Sequence, residues 1–432
     1  MTTTAAERAS PIARPDPQAV AALVDQLAQL SEAGPGVTRL AYTRLERDAH
    51  ELFACWMRDL GCAVQVDAAG NTIATRPGRR AGAPAIGTGS HLDSVYEGGR
   101  YDGVVGVVGA VLVARSLAAA GVETEHPLRF VVFAGEEGAR FGQACLGSKL
   151  AAGQATLTEL TERVDRDGVS IATAMRRLDI DPTRAADEPW RPAEWAAFLE
   201  LHIEQGSVLE RDQLSIGAVD LISGSTRLEL TLDGQPSHTG GTPMLGRSDA
   251  LAAAAEAVLV AEQLALDPRH RGTRATVGRL EVSPGSITTI PGQVVLAVDV
   301  RDVDADRQRA TAAEIVRRVR AVCDRRRVGL GVRLLGDTSP VVLPVWVRRV
   351  VTDVARDLDV PYRVLTSGAS HDAQQVNRVM PAGMVFVPSR AGLSHVPEEW
   401  TSPVDIALGT QVLAESLCAL DRQLAALADG VA

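Results

Sequence analysis

The sequence is poor in aromatic residues, lysine and cysteine, and each shortage narrows what the protein can be. Only 3% of the 432 residues are aromatic, lysine occurs once, and the formal net charge is −10. This balance excludes a general nucleic-acid binder, because such proteins need a net basic footprint. The five cysteines are scattered without a CxxC pair, which is typical of a reduced, intracellular chain.

The sequence also lacks a long uninterrupted hydrophobic run. The apolar stretch 104–120 is broken by glycines and by Arg115, so it predicts a buried helix and not a membrane span. The N-terminal residues contain no basic segment followed by an apolar run, which is the pattern of a secretory signal. We therefore expect a cytoplasmic protein with neither a membrane nor a nucleic acid as partner.

The hydrophobic pattern that is present indicates an α/β protein. Residues 16–32 and 42–60 carry apolar residues at helical spacing, and short apolar runs then alternate with amphipathic helices. Three of these runs, 83–88, 128–134 and 197–201, each end in a polar segment. Because ligands bind beyond the carboxyl ends of strands in such sheets, we expect these three segments to meet at one rim.

A different pattern occupies residues 220–335. Strand and helix signals follow one another there in the order β-α-β-β-α-β, which is the order of a ferredoxin-like unit. The α/β pattern resumes near Leu343, so this α+β segment is interpreted as an insertion. The predicted domains are therefore a catalytic domain formed by 1–219 and 336–432, with an inserted domain formed by 220–335.

Histidines and carboxylates cluster at the glycine-flanked turns that follow the predicted strands. Each signal is weak alone, because a single histidine at a strand end is often structural and a Glu–Glu pair often begins a helix. Together they offer imidazole and carboxylate ligands without thiolate, a set that suits Zn²⁺, Mn²⁺, Co²⁺ or Ni²⁺. One remaining carboxylate would let a hydrolase activate water. The residues are His91, Asp102, Glu136, Glu137, His202 and His395.

These motifs, in this order, resemble the N-carbamoyl-L-amino-acid hydrolases and allantoate amidohydrolases. Those enzymes form the hydantoinase/carbamoylase branch of the aminoacylase/carboxypeptidase superfamily of dinuclear metallohydrolases. The resemblance implies a mixed-sheet catalytic domain of the zinc-exopeptidase type, with the insertion serving as lid and dimerisation domain. The segments are GSHLDSVYEGGRYDG (89–103), FAGEEGARFG (133–142), ELHIEQG (200–206), GQPSHTGGTPM (234–244), SGASHDAQ (367–374) and GLSHVPEE (392–399).

The resemblance implies two divalent metal ions, zinc or else manganese, cobalt or nickel. It implies that Asp102 bridges them, that His91 and His202 complete one ion's ligands, and that Glu137 and His395 complete the other's. Glu136 would then be the general base, although an exchange of roles between the two neighbouring glutamates stays open. Asp93 is interpreted as orienting His91 from behind, with a turn-capping role as the alternative.

The resemblance also implies a set of substrate-binding residues. In the inserted domain, His238 would stabilise the developing oxyanion, often across a dimer, and Arg301 would bind the substrate carboxylate. Gln205 would contact the ureido or amide group. For each of these residues a purely structural role is the alternative, and His371 has no assigned role.

Three positions depart from the family pattern near the expected substrate pocket. Thr288 stands where relatives usually carry Asn, Ser370 replaces the glycine of SGAGHD, and Val396 follows the GLSH motif in place of a small polar residue. Thr288 and Ser370 remain candidate substrate-binding residues. Since a single hydrogen-bonding change can redirect specificity, the type of catalysis is easier to predict than the substrate.

The leading hypothesis is a metal-dependent amidohydrolase acting on N-carbamoyl-L-amino acids, with an amino acid, ammonia and CO₂ as products. Allantoate, N-carbamoyl-β-alanine and N-acyl amino acids are the alternative substrates. A non-catalytic binding protein is disfavoured because the metal ligands and Glu136 are all present. A nucleotide-binding protein is disfavoured because GGRYDGVVGVVG fits no phosphate-binding motif. A homodimer is expected from the resemblance.

Overall fold

The chain divides into two compact units. In this computed structural model, which describes residues 12–430, the first unit comprises Met1–Asp220 and Val342–Ala432 and the second comprises Leu221–Val341. Each unit has its own core of buried aliphatic side chains. The insertion expected at 220–335 therefore starts one residue before the second unit starts and stops six residues before the second unit stops.

The helices and strands are as follows. The helices are α1 (Pro17–Ala28), α2 (Arg44–Asp59), α3 (Val104–Ala119), α4 (Leu146–Ala151), α5 (Leu157–Glu162), α6 (Ile171–Arg176), α7 (Pro182–Asp187), α8 (Val208–Asp212), α9 (Ala250–Leu266), α10 (Ala305–Arg326), α11 (Val345–Asp357), α12 (Asp372–Val376) and α13 (Pro403–Ala428). The strands are β1 (Ala63–Val66), β2 (Thr72–Arg76), β3 (Ala85–His91), β4 (Leu128–Phe133), β5 (Trp195–Ile203), β6 (Ile216–Ile222), β7 (Gly224–Asp233), β8 (Ser237–His238), β9 (Arg274–Ser283), β10 (Thr289–Ile290), β11 (Gln293–Asp302), β12 (Gly329–Thr338), β13 (Val341–Val342), β14 (Tyr362–Ser367) and β15 (Ala382–Val387).

The first unit is built on a mixed sheet of nine strands. Its order is β1-β2-β4-β3-β5-β15-β6-β13, and β14 pairs with β6 beside this path. Strands β4, β3, β5 and β15 run parallel to one another, whereas β1, β2 and β6 pair antiparallel with their neighbours. The α/β fold class with a mixed catalytic sheet, predicted from the sequence, is confirmed.

Local sequence explains where the helices of this unit begin and which faces they bury. Helix α2 starts after Thr43, whose side chain accepts a hydrogen bond from the backbone N–H of Glu46. It buries Ala49, Phe53 and Met57, which lie four residues apart on one face. Helix α3 is buried on nearly all sides, as its predominantly apolar sequence predicts.

The C-terminal helix α13 is the longest apolar helix of the first unit. By length and composition alone it could cross a membrane, the one helix among residues 12–430 for which this is so, but 61% of its apolar window is buried. Its buried residues include Val412, Leu413, Leu417 and Leu420, which join the core of the first unit. This burial is the pattern of a core helix.

The second unit has the ferredoxin-like order that the sequence pattern predicts. Its four strands are arranged β12-β7-β11-β9 with all neighbours antiparallel, and α9 and α10 contribute to the same core. Strand β12 continues to Thr338 beyond an irregularity between Leu334 and Gly336. The expected end of the insertion at residue 335 therefore falls within this strand. Gly336 and Asp337 are residue types common in turns, so the sequence pattern does not show that the strand continues.

A buried arginine ties α1 to the loop that follows β3. The side chain of Arg39 is 1% exposed; its Nε donates to Leu92 O at 2.5 Å, and Nη1 donates to Leu27 O and Leu30 O at 2.7 Å. Changing Arg39 to Met would leave these buried carbonyls unpaired, so we expect the free energy of unfolding to fall by about 3–5 kcal/mol.

Urea unfolding followed by tryptophan fluorescence measures this change, because all five tryptophans belong to the first unit. Arg44, whose side chain is 81% exposed and pairs with Asp48, provides the control. Changing Arg44 to Met should cost less than about 1 kcal/mol. Equal effects of the two substitutions would contradict a structural role for the Arg39 hydrogen bonds.

Candidate metal centre

Three parallel strands deliver the polar residues of the site to one rim of the sheet. His91 is the last residue of β3, Glu136 and Glu137 follow β4, and His202 lies near the end of β5. Strand β3 lies between the other two and is parallel to both, so their carboxyl ends share one edge. The residues that the sequence predicted to meet at this edge do so.

Asp102 reaches this rim from the turn that precedes α3. The next residue, Gly103, has a φ of +68°, and a Cβ placed on it would lie 2.5 Å from the imidazole ring of His91. Only glycine fits both the backbone conformation and this close approach. The turn therefore places the Asp102 carboxylate beside the histidines, just ahead of the N-terminus of the helix, where negative charge is favoured.

One oxygen of Asp102 faces the two strand histidines. Its Oδ1 lies 3.1 Å from Nε2 of His202 and 3.7 Å from Nε2 of His91. Both imidazole side chains are almost completely buried, at 1% and 3% exposure. Each of these three residues can offer one ligand atom to a metal ion, since the three atoms lie within 4.8 Å of one another.

The other oxygen of Asp102 faces a second cluster. His395 Nε2 lies 3.3 Å from Asp102 Oδ2 and 3.2 Å from Glu137 Oε1. The His395 side chain is 47% exposed and its backbone has a φ of 61°, so this cluster opens to solvent on the histidine side. Asp102, Glu137 and His395 again bring three ligand atoms within 4.8 Å of one another.

Glu136 lies beside the first cluster and has a different set of contacts from Glu137. Its Oε1 accepts a hydrogen bond from the Cys145 thiol at 2.9 Å, and its Oε2 lies 3.9 Å from Nε2 of His91. Burial raises the pKa of this carboxyl to about 7, and the charge of Glu137 contributes in the same direction. The two neighbouring glutamates are thus separated by orientation, with Glu137 in a metal-type cluster and Glu136 beside it.

Asp93 connects the loops after β3 and β4. Its two carboxylate oxygens accept the backbone N–H groups of Glu136 and Glu137, each at 2.8 Å. Its Oδ1 also lies 3.5 Å from Nδ1 of His91, the contact that the sequence led us to expect. Asp93 therefore holds the backbone of both glutamates in addition to facing His91.

The carboxylates and histidines of the two clusters shift one another's pKa values. Burial alone would raise the pKa of Asp102, but hydrogen bonds from His202 and His395 hold it well below its usual value. The charge of Glu137 and the hydrogen bond to Asp102 raise the pKa of His395 well above its usual value. The carboxylates thus favour positive charge at the positions of the imidazole nitrogens, where a cation would compete with protons.

A third group of possible ligands is satisfied by the protein itself. Glu200, His202 and His371 are close enough to share an ion. However, the Glu200 oxygens accept hydrogen bonds from the hydroxyl of Ser90 and the N–H of Ala373, at 2.7 and 2.8 Å. His371 Nε2 lies 2.7 Å from the Ser367 hydroxyl, and its ring packs edge-on against His202 at 4.6 Å. His371 therefore packs against the ring of His202 and helps to fix its orientation.

The two clusters fit a pair of divalent ions. Their ligand atoms are imidazole nitrogens and carboxylate oxygens, the donor set that Zn²⁺, Mn²⁺, Co²⁺ and Ni²⁺ accept. Asp102 presents one oxygen to each cluster, which is what a carboxylate shared by two ions requires. Five residues would hold the ions: His91, Asp102, Glu137, His202 and His395.

Gln205 joins this centre from the turn after β5. Its Nε2 donates to Asp102 Oδ2 at 2.6 Å and to the Ser394 hydroxyl at 3.2 Å, and its backbone N–H donates to Ser389 Oγ at 3.0 Å. Its Oε1 is buried and finds no hydrogen-bond partner among residues 12–430. The amide is therefore held in one orientation, with one acceptor oxygen that has no partner among these residues.

Ser370 and Val396 are half-buried residues of the same unit.

The remaining predicted residues, His238, Thr288 and Arg301, belong to the second unit. His238 is exposed, and its Nδ1 accepts the N–H groups of Gly240 and Gly241 at 3.1 and 3.0 Å, so the proton of the neutral ring resides on Nε2. Thr288 accepts a backbone hydrogen bond from Thr239 at 3.1 Å, next to the β8–β10 pair.

Arg301 lies on β11 with its side chain about one-quarter exposed. Its Nε donates to Asp299 Oδ2 at 2.9 Å. The ion pair weighed as the alternative for this arginine is therefore present. It also fixes the plane of the guanidinium group, which a bidentate carboxylate contact would use.

Three residues of the site were not identified from the sequence: Cys145, Ser394 and Glu399. Cys145 lies in FGQACLG, where nothing marks the thiol as a partner of Glu136. Ser394 and Glu399 flank the ligand motif in GLSHVPEE, so their place beside His395 was a usable signal. Their contacts with Asp102 join segments far apart in the chain, which spacing along the sequence does not reveal.

A mixed α/β sheet that carries histidine–carboxylate clusters at the ends of its parallel strands defines a metallohydrolase-type architecture. The model of the family "Peptidase family M20/M25/M40" matches residues 87–419. The chain therefore belongs to this family and is a hydrolytic enzyme of the amidohydrolase kind. This confirms the family and the enzyme class expected from the sequence.

Three similar proteins narrow the branch. The N-carbamoyl-L-amino acid amidohydrolase of Geobacillus stearothermophilus is 40% identical over 90% of this chain and 96% of its own. The ureidoglycolate hydrolase of Arabidopsis thaliana is 36% identical over 92% of this chain and 85% of its own. A solved structure of a hydantoinase/carbamoylase family amidase from Burkholderia vietnamiensis has a TM-score of 0.88 and 35% identity, covering 94% of this chain and 97% of its own.

Proposed function

We propose that the protein hydrolyses N-carbamoyl-L-amino acids with the help of two divalent metal ions, and that Glu136 is the general base. The observation that carries the proposal is the shared carboxylate of Asp102, which faces a separate ligand cluster with each oxygen, beside a glutamate that belongs to neither. The similarity to the Geobacillus stearothermophilus enzyme supports the ureido substrate.

Bound ions would supply the positive charge that polarises the substrate carbonyl and lowers the pKa of a water molecule. Glu136 Oε2 takes the proton of the attacking water and returns it to the leaving nitrogen. The Cys145 thiol occupies the other oxygen, and Asp93 holds the backbone of Glu136, so the reactive oxygen has a defined position. The amino acid leaves with the returned proton, and the carbamate breaks down to ammonia and CO₂.

His238 and Arg301 of the second unit are proposed to bind substrate, as the resemblance implies. The Nε2–H of His238 is a donor suited to the oxyanion, and the fork of Arg301 suits the substrate carboxylate. Met244, Leu245 and Ile287, in the loops flanking His238, are 77%, 95% and 97% exposed. A homodimer, which the resemblance implies, would give these exposed side chains a partner surface.

Ammonia release tests the proposal. The purified protein, stripped with a chelator and reloaded with Zn²⁺, Mn²⁺, Co²⁺ or Ni²⁺, is assayed on N-carbamoyl-L-amino acids and the corresponding D-isomers. We expect metal-dependent ammonia release from the L-isomers and none from the stripped protein. Turnover of no carbamoyl amino acid under any loading would overturn the assignment.

A second candidate substrate is a different ureido compound. The 36% identical ureidoglycolate hydrolase favours this possibility, and Thr288 departs from the asparagine usual in the carbamoylase pattern. Ureidoglycolate, allantoate and N-carbamoyl-β-alanine therefore belong in the same assay. A kcat/KM for one of them at least tenfold above that for every N-carbamoyl-L-amino acid would reassign the substrate within the same chemistry.

Gln205 is expected to select the ureido group. With its Nε2 held by Asp102 and Ser394, its Oε1 has no partner among residues 12–430 and is the acceptor that we assign to an N–H of the substrate's terminal amide. Changing Gln205 to Ala should lower kcat/KM for the carbamoyl substrate by about 10²-fold or more relative to the N-acetyl analogue, which has no such donor.

The measurement is the ratio of kcat/KM for the two substrates in the altered and unaltered protein. The Gln154 side chain is exposed and donates to the carbonyls of Ala152 and Gly153 in its own turn, so Gln154→Ala is the matched control and should leave the ratio unchanged. An equal fall for both substrates would show that Gln205 only supports Asp102.

A further inference from the structure

Two residues outside the expected set of metal ligands, Ser394 and Glu399, form hydrogen bonds with Asp102. The hydroxyl of Ser394 lies 2.8 Å from Asp102 Oδ2 and 2.8 Å from Glu399 Oε2. Ser394 is also the residue immediately before His395 in the chain. A single hydroxyl group therefore joins the shared carboxylate to the loop that supplies a ligand of the second cluster.

Glu399 holds the backbone on the other side of the same carboxylate. Its Oε1 accepts the N–H groups of Tyr101 and Asp102 at 2.9 and 3.0 Å, and the residue is 3% exposed. A Cβ on Gly99 would lie 2.1 Å from this oxygen, so the turn before Asp102 is packed directly against Glu399. Both backbone and side chain of Asp102 are thus tied to the segment 394–399.

These contacts fall unequally on the two oxygens of Asp102. Ser394 bonds to Oδ2, which faces His395 and Glu137, whereas Oδ1 faces His202 and His91. His91 and His202 lie on strands and are buried, so their positions are set by the sheet. His395 lies on a loop, is half exposed, and has a left-handed backbone conformation. The second cluster therefore depends more on local support than the first.

We infer that Ser394 and Glu399 are positioning residues that build the second metal site, formed by Asp102, Glu137 and His395, by locking the His395 loop to Asp102. The inference rests on the proposed function, since it presupposes two bound ions. Residues that orient metal ligands commonly change affinity by about 10–100-fold when they are removed. The lock should act chiefly on one ion, because His91 and His202 of the other cluster are carried by strands, and Ser394 contacts only the Asp102 oxygen that faces His395.

Titration of the chelator-stripped protein with Mn²⁺ in a calorimeter, with ion content measured by atomic emission, tests the inference. The unaltered protein should bind two ions. In Ser394→Ala and in Glu399→Ala, one dissociation constant should rise by about 10–100-fold and the other should change by less than about threefold. Ser394→Thr keeps the hydroxyl and should restore the affinity.

His395→Ala, with the second cluster broken, identifies which ion is affected. Adding Ser394→Ala to this variant should leave the affinity for the remaining ion unchanged, because that ion belongs to the His91–His202 side. Glu398→Ala alters the exposed neighbour of Glu399 and should bind both ions like the unaltered protein. If Glu399→Ala does not fold, the Ser394 variants decide the question.

Three results would overturn the inference. Two-ion binding with unaltered constants in Ser394→Ala would remove this inference and leave the proposed function intact, as would an equal loss of both ions. No binding of Mn²⁺, Zn²⁺, Co²⁺ or Ni²⁺ by the unaltered protein would remove the proposed function and the inference with it.

Discussion

Replacing Glu136 by glutamine should lower kcat by about 10²–10⁴-fold while two metal ions remain bound. The substitution keeps the size of the side chain and one acceptor oxygen, which can still face the Cys145 thiol, but removes the ability to accept and return a proton. Glu136 contacts Cys145 and approaches His91 without belonging to either ligand cluster, so its loss should affect proton transfer and not ion affinity. Steady-state ammonia release and ion content by atomic emission measure the two effects.

Glu137→Gln is the contrasting variant, because Glu137 Oε1 lies 3.2 Å from the His395 ring nitrogen. It should lose one ion, whereas Glu136→Gln should lose none. Glu398→Gln, at an exposed position, should change neither activity nor ion content. If Glu136→Gln lost an ion and Glu137→Gln kept both, the roles of the two neighbouring glutamates would have to be exchanged.

Replacing Asp102 by asparagine should remove both ions and reduce activity to background. One carboxylate faces His202 and His91 with Oδ1 and His395 with Oδ2, so the loss of its charge weakens both clusters together. Loss of a residue that only orients a metal ligand lowers affinity by about 10–100-fold. Because Asp102 is itself a proposed ligand, the affinity for each ion should fall by more than this. Calorimetric titration with Mn²⁺ measures both constants, and circular dichroism checks that the fold is retained.

Asp353→Asn is the matched control, since the Asp353 side chain is 59% exposed and pairs with Arg356 on its own helix. It should bind two ions with unaltered constants. Loss of a single ion from Asp102→Asn would show that the carboxylate serves one cluster alone, and the dinuclear interpretation would then need another bridging group.

Strand ends were the most informative feature of the sequence. The runs 83–88, 128–134 and 197–201 match β3, β4 and β5, and their polar ends meet at one rim. This could be predicted because an apolar strand that stops at glycine and polar residues is a local pattern, and parallel strands place such ends together. The ferredoxin-like order of the second unit could be predicted because the succession of strand and helix signals is also a local pattern.

Other features depended on contacts between distant segments. Neighbouring glutamates cannot be told apart by spacing, and only the positions of Cys145 and His395 separate Glu136 from Glu137. Asp93 was expected to face His91, but its hydrogen bonds to the backbone of Glu136 and Glu137 were not foreseen. The end of the second unit at Val341, beyond the expected residue 335, followed from strand pairing across an irregular register.

The sequence by itself determined the fold class, the family resemblance and the identities of the candidate metal ligands, because each depends on residue type and order along the chain. The tertiary structure decided how these groups are oriented: which oxygen of Asp102 faces which histidine, which glutamate stands outside the clusters, and how Ser394 and Glu399 hold the shared carboxylate. Hydrogen bonds are directional and act over about 3 Å, so they are settled only when folding brings distant segments together.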